Sequence, residues 1–169
     1  PRFMSETGFQ SFPEFESVKK FSIPEDWELF SPVMKQHQKS KIGNALIADY
    51  IVRHFKAPKD FEAVIYQGQL MQEKSMRVAH EAYLRAKPYC MGALYWQIND
   101  CWPVASWSTI DYYGKWKAQQ YTMKELFKPI VVSINNEGDD FTVYAISDKM
   151  KSTKGKLVSQ IFKIDGTLI

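Results

Sequence analysis

Blocks of apolar and polar positions divide the chain into two unlike parts. Residues 2 to 6 read as a short strand. From 7 to 32 neither a helical nor a strand period holds: Pro13, Pro24 and Pro32 interrupt a stretch carrying Phe9, Phe12, Phe15, Phe21, Trp27 and Phe30. The expectation is a long irregular loop. Loops this long and aromatic either serve function or cover the edges of the structure beneath, and both readings stand. A helix is predicted over 44 to 55, where Leu46, Ile47, Tyr50 and Ile51 recur at helical spacing. Ala57-Pro58-Lys59-Asp60 breaks it, and Asp60 suits the N-cap of the next helix, about 61 to 86. There Val64, Gly68, Met71, Ser75, Val78, Ala82 and Arg85 fall near one stripe, which predicts the face packed on a sheet. Lys87-Pro88 ends that helix, an apolar run predicts a strand over 89 to 96, and a Trp-rich loop follows to about 113. A further helix, roughly 115 to 127, stops at Pro129.

Strand, helices, strand, helix is βαβα order, which implies an α/β fold with a parallel sheet. After Pro129 the pattern changes. Residues 130 to 134, 141 to 146 and 157 to 164 read as short strands separated by Asn/Gly/Asp and Lys/Ser/Thr/Gly stretches. That predicts an antiparallel sandwich module, incomplete at residue 169. The boundary falls near residue 128, giving modules 1–128 and 129–169. Pro1-Arg2-Phe3 runs into the first strand with no initiator Met, which suggests a piece of something larger.

Composition changes this picture little. With 169 residues, 45% apolar and 24% charged, the chain suits one domain or a domain with part of another. The formal charge of +3 is spread out, with no basic block to mark a nucleic-acid or anionic-membrane surface. No apolar run approaches the ~20 residues of a membrane-spanning helix. Aromatic content is 15%, which a sugar-binding surface and a dense core explain equally well.

The candidate chemistry lies at the ends of the two parallel strands, where ligands of such folds bind. Tyr95-Trp96-Gln97-Ile98-Asn99-Asp100-Cys101-Trp102-Pro103-Val104-Ala105-Ser106-Trp107 joins large rings to an amide and a carboxylate. An aromatic floor with polar neighbours fits a flat, hydroxyl-rich ligand such as a sugar. The first strand supplies a carboxylate, Glu6, and adjacent strands lie ~4.8 Å apart, so both ends can face one pocket. Asn99 and Asp100 either bind hydroxyls or brace the loop. Trp102 and Trp107 read as packing beneath it, and Gln10 and Ser11 as braces of the backbone. His37, His54 and His80 fall on or near helices, which favours surface or packing roles. Cys90 and Cys101 would lie roughly 20 Å apart along an extended chain, well beyond the roughly 7 Å a disulfide spans. Two free thiols and no metal site are expected.

Phe3-Met4-Ser5-Glu6-Thr7-Gly8-Phe9-Gln10-Ser11-Phe12-Pro13, the segment 92 to 107, and Ile110-Asp111-Tyr112-Tyr113-Gly114-Lys115-Trp116-Lys117-Ala118 together resemble the β-mannosidases of glycoside hydrolase family 2. The resemblance covers nearly all of residues 1 to 134. It implies the last two βα units of a (β/α)8 TIM barrel, followed by the start of an immunoglobulin-like β-sandwich. It further implies that Glu6 is the catalytic nucleophile of a retaining exo-β-glycosidase and that Trp96 is the platform beneath the sugar ring. Asn99 and Asp100 are then candidate substrate contacts. The acid/base carboxylate of the family lies on an earlier barrel strand; neither Glu14 nor Asp100 is assigned to it, so the chain alone is expected to be inactive. The partners implied are a β-mannoside and the remaining domains of the parent protein, with no cofactor, metal, nucleic acid or membrane. An isolated quarter barrel would expose broad apolar faces, which allows self-association. A periplasmic or secreted location follows from the resemblance for a bacterial protein, and a lysosomal one for an animal protein.

β-Galactosidase, β-glucuronidase and exo-β-glucosaminidase share that family and remain alternatives. From a different class, a non-catalytic carbohydrate-binding module could use Trp96, Trp102 and Trp107, but it has no need of Glu6. A third alternative is an interaction scaffold.

Overall fold

The computed structural model describes residues 1–169, the Glu137 side chain excepted. In chain order the elements are β1 (Met4–Thr7), α1 (Phe15–Val18), a 3-10 turn (Pro24–Asp26), α2 (Pro32–Gln36), α3 (Gly43–His54), α4 (Phe61–Arg85), β2 (Ala93–Tyr95), α5 (Ala118–Leu126), β3 (Ile130–Glu137) and β4 (Asp140–Ser147). β1 and β2 pair in parallel, with Met4 opposite Ala93 and Thr7 opposite Tyr95 and an irregularity between the two pairs. The parallel sheet expected from the element order is present.

The segment after β1 is less irregular than its prolines suggest. It winds through two short helices and a 3-10 turn, and Ser31 caps α2 by accepting from the Met34 amide at 3.2 Å. Its aromatics are core. Phe12 is 1% exposed and joins Val18, Leu29 and Met34 against Ile47 and Ile51 of α3 and Phe61 and Ile65 of α4. Phe15, Phe21 and Trp27 pack on that cluster, whereas Phe30 is exposed. Of the two readings open for this loop, covering apolar structure accounts for most of its rings.

Asp60 caps α4 as expected, its carboxylate accepting from the Ala63 amide at 2.8 Å. The buried stripe of α4 differs from the expected one. Phe61, Ile65, Gly68, Met71, Gln72, Met76 and His80 face inward, while Val78 is 60% exposed. Only Gly68 and Met71 of the expected stripe belong to this fully buried face. The reason is chemical: Gln72 lies inward because it bonds to both strand-end loops, and His80 because its ring packs among Tyr83, Tyr95 and Phe127; a reading that counts apolar residues passes over both. Met76, Met123, Leu126 and Val131 form a second core cluster joining α4, α5 and β3, with Tyr95 packed on it.

β3 and β4 form an antiparallel hairpin in register from Ile130–Ser147 to Glu137–Asp140. The turn between them is only Gly138-Asp139, and Gly138 has φ +72°, a value glycine reaches without strain. The strands are therefore longer than the expected 130 to 134 and 141 to 146. The expected third strand over 157 to 164 is not formed; a single bridge, Phe162 to Leu168, is found there instead. With charged and polar groups on both sides and no partner strand beside it, that segment gains no ladder. The hairpin is joined to α4 by Arg85, which donates to Ser133 Oγ at 2.6 Å while Ser133 donates to Glu81 at 2.6 Å. Among the described residues, no helix is long and apolar enough to cross a membrane.

Candidate active site

β1 and β2 end together. The Trp96 amide donates to the Thr7 carbonyl at 2.8 Å, extending the parallel pairing one step past Tyr95. Side chains alternate across a strand, so Tyr95 faces the opposite side of the sheet from Leu94 and Trp96. Tyr95 turns toward the second core cluster. Glu6, Leu94 and Trp96 are exposed, Leu94 at 57% and Trp96 at 49%. The strands thus place a carboxylate and an indole, distant in sequence, at neighbouring ends of an uncovered sheet face.

Gly8 makes this approach possible. A Cβ there would lie 2.4 Å from the Trp96 carbonyl oxygen and 2.9 Å from the Trp107 ring. Neither neighbour is a flexible chain end, so any larger residue must push the two strand ends apart. The Trp96–Gln97 peptide that follows is cis.

Beyond Trp96 the loop folds back upon itself. The Gln97 amide donates to the Trp107 carbonyl at 3.1 Å, and the Thr109 amide to the Gln97 carbonyl at 3.0 Å. Asp100 is buried inside this turn. Its carboxylate accepts from Ser106 Oγ at 2.7 Å, Ser108 Oγ at 2.6 Å and Gln97 Nε2 at 3.3 Å. That is a bracing arrangement. Asn99 is exposed, and its amide reaches only the Asp100 carbonyl at 3.4 Å. Trp102 stacks on His37 with ring centres 5.2 Å apart, and His37 stacks in turn on Phe21 at 4.3 Å. Trp102 and Trp107 therefore act as packing groups under the loop, and Trp96 is the ring left open.

Gln10 and Ser11 are braces too. Gln10 donates to Gln38 at 2.9 Å, and Ser11 Oγ donates to Gln72 Oε1 at 2.8 Å. Gln72 Nε2 donates onward to the carbonyls of Phe9 at 2.8 Å and Ser108 at 3.2 Å, so one amide of α4 joins both strand-end loops.

Lys117 is the residue that the sequence pattern missed. It precedes α5, is 1% exposed, and donates from Nζ to the carbonyls of Ser11 at 3.0 Å and Ser106 at 3.3 Å. Burial lowers its pKa to about 8, against the opposing pull of Asp100 and Asp111. A lysine before a helix reads as solvated surface. The only hint of its burial was two aspartates, Asp100 and Asp111, flanking the same aromatic loop.

Of the histidines, His37 packs on the Trp-rich loop, its Nδ1 2.7 Å from the Pro103 carbonyl, and His54 ends α3. His80 is buried on α4, where burial lowers its pKa, and its Nδ1 bonds to the Met76 carbonyl at 2.9 Å. It lines a cleft of about 340 Å³ with Lys87, Cys90 and Phe127. That cleft opens at the start of β2, and its lining includes neither Glu6 nor Trp96. It gathers no carboxylate beside an exposed indole, so the strand ends remain the candidate site. Both cysteines are free thiols, Cys90 buried and Cys101 exposed.

The chain is similar to known proteins over most of its length. No family model matches the chain. It is 36% identical to the mouse β-mannosidase over 174 residues, covering 95% of this chain and 20% of that protein. It is 32% identical to β-mannosidase B of Emericella nidulans over 167 residues, covering 96% and 20%. Among solved structures, the β-D-mannosidase of Dictyoglomus thermophilum superposes with a TM-score of 0.84 at 36% identity, covering 89% of this chain and 19% of that one. The exo-chitosanase of Amycolatopsis orientalis shares the fold at a TM-score of 0.69 and 18% identity. The chain thus spans about a fifth of the length of the curated relatives it matches.

Proposed function

We propose, from the premise that this chain is homologous to one segment of the β-mannosidases of glycoside hydrolase family 2, that it is the nucleophile-bearing part of a retaining exo-β-mannosidase. The observation that carries this reading is the adjacency of Glu6 and Trp96 on the open face, at the carboxyl ends of two hydrogen-bonded parallel strands. Active sites of (β/α)8 barrels gather at those ends. We read residues 1–128 as the last two βα units of such a barrel and 129–169 as the start of a β-sandwich. The uncovered face of β1 and β2 is then the barrel interior, and its apolar residues await the remaining strands.

In this mechanism a Glu6 oxygen attacks the anomeric carbon of a terminal β-mannoside. The glycosidic C–O bond breaks as the leaving oxygen takes a proton from a second carboxyl group. Water, deprotonated by that same group, then releases mannose from the ester on Glu6. The second carboxyl must lie ~5–5.5 Å from the first. Asp100 does not suit that role, because its oxygens are held by Ser106 and Ser108 inside the loop. The acid/base is therefore assigned to the rest of the parent protein. Trp96 presents half of its surface for stacking beneath the sugar, a contact aromatic rings make well with flat apolar faces. Exposed Asn99 is the candidate hydroxyl partner, and Asp100 holds the loop that presents it.

The test is Glu6→Gln in the longer polypeptide to which we assign this segment. Turnover of nitrophenyl β-mannoside should fall by about 10³-fold or more while mannoside binding persists, since only transition-state stabilisation is removed. Unchanged turnover would remove Glu6 from the mechanism. Collapse with a β-galactoside or β-glucuronide as the better substrate would retain Glu6 and reject the mannoside assignment.

A further inference from the structure

We propose that Lys117 is a positioning residue that fixes the carboxylate of Glu6 relative to the Trp96 ring; this rests on the reading of those two groups as nucleophile and platform. The structure supplies a closed path of bonds between them. Thr7, next to Glu6, accepts from the Trp96 amide. Four residues after Thr7, Ser11 exchanges backbone hydrogen bonds with Ser106, Ser11 N to Ser106 O at 2.9 Å and Ser106 N to Ser11 O at 3.1 Å. Lys117 Nζ donates to both of those carbonyls. Its backbone is tied to the other end of the same loop, because the Lys117 amide donates to Thr109 O at 2.8 Å and the Thr109 amide to Gln97 O. One residue therefore grips the loop leaving Glu6 through its side chain and the loop leaving Trp96 through both side chain and backbone.

Satisfying the Ser11 and Ser106 carbonyls does not require an ammonium, since each already accepts a backbone amide. Burying a charge is unfavourable unless something needs it there. Neutralising Asp100 and Asp111 is one such need, yet among the described residues the Lys117 hydrogen bonds go to the two carbonyls, and both carboxylates are served by hydroxyl, amide and backbone donors. The ammonium sits where the two loops meet. Misplacement of a reacting group by about 1 Å lowers rate by on the order of 10²-fold, so a clamp at this junction bears on chemistry more than on affinity.

The experiment uses the longer polypeptide, with Lys117→Met and the double variant Lys117→Met with Asp100→Asn, which removes a buried negative charge together with the ammonium. Each is first checked for a cooperative thermal transition. Mannose affinity is then measured by inhibition, and the rate of covalent trapping by 2-deoxy-2-fluoro-β-mannosyl fluoride by intact mass. The expected result is trapping slowed at least about tenfold, with kcat falling in parallel and mannose affinity within about threefold of the unsubstituted protein. Trapping at the unsubstituted rate in either folded variant, whatever its melting temperature, would overturn the proposal. Failure of both variants to fold would also overturn it, because Lys117 would then serve the fold as a whole. If Glu6→Gln is still trapped, the underlying reading fails instead, and the inference falls with it.

Discussion

Gly8 is where a single missing side chain decides the geometry of the site. A Cβ there meets the Trp96 carbonyl at 2.4 Å, well inside van der Waals contact, and relief requires the β1 and β2 ends to separate. Gly8→Ala is therefore expected to destabilise the chain by about 1–3 kcal/mol, as overpacking does, and to alter the emission of Trp96 and Trp107. A urea midpoint and fluorescence spectrum equal to those of the unsubstituted chain would contradict this. Lys117 gives a second prediction at the same scale. Its folded pKa, about 8, lies below the 10.5 of a free lysine. The charged form is thus disfavoured by folding below pH 8, and that penalty fades as pH rises from 8 to 10.5, where the unfolded chain holds one more proton. Relative to Lys117→Met, the unsubstituted chain should gain about 3 kcal/mol across that window. Urea unfolding at pH 7.5, 9 and 10.5 measures the difference; a pH-independent difference would contradict the assignment.

At the scale of elements, α4 does more than cover the sheet. Its Gln72 donates to the carbonyls of Phe9 and Ser108 and accepts from Ser11 Oγ, the last two bonds within buried structure. Gln72→Leu keeps the size and removes the hydrogen bonds, leaving orphaned groups on both loops. A loss of about 2–4 kcal/mol is expected, each unsatisfied buried group contributing on the order of 1–3, with faster amide exchange over residues 9 to 11 and 106 to 109. A loss below about 0.5 kcal/mol would show that water replaces the amide without difficulty. This layer also marks what the sequence could and could not disclose. α3 and α4 and the Asp60 cap were legible because helical period and capping chemistry are local. The parallel pairing of β1 with β2 followed from element order. The buried faces of Gln72 and Lys117 were not legible, because these polar side chains are held inside by carbonyls that the fold brings together. The aromatic loop after β1 stayed open between two readings for the opposite reason. Its rings are apolar without a period, and nothing local distinguishes a ring packed on α3 from one awaiting a ligand. The strand expected over 157 to 164 had suitable residues, but pairing is a property of a neighbour, and none lies beside it.

At the scale of the whole molecule, the proposed roles set Glu6 as nucleophile and Trp96 as platform on an open sheet face. The loops that leave Glu6 and Trp96 are braced, and Asp100 is held inside its loop by the hydroxyls of Ser106 and Ser108. The isolated 169-residue chain is accordingly expected to leave nitrophenyl β-mannoside intact, since no acid/base partner is assigned within it; measurable hydrolysis by the purified chain would show that a second carboxyl is present after all. The most direct test of the account is to trap the longer polypeptide with 2-deoxy-2-fluoro-β-mannosyl fluoride, digest it and locate the added sugar by mass spectrometry. The account predicts a fluoromannosyl ester on Glu6, within the peptide that continues through Gly8 and Ser11. A sugar carried by any other carboxylate, with Glu6 unmodified, would contradict it.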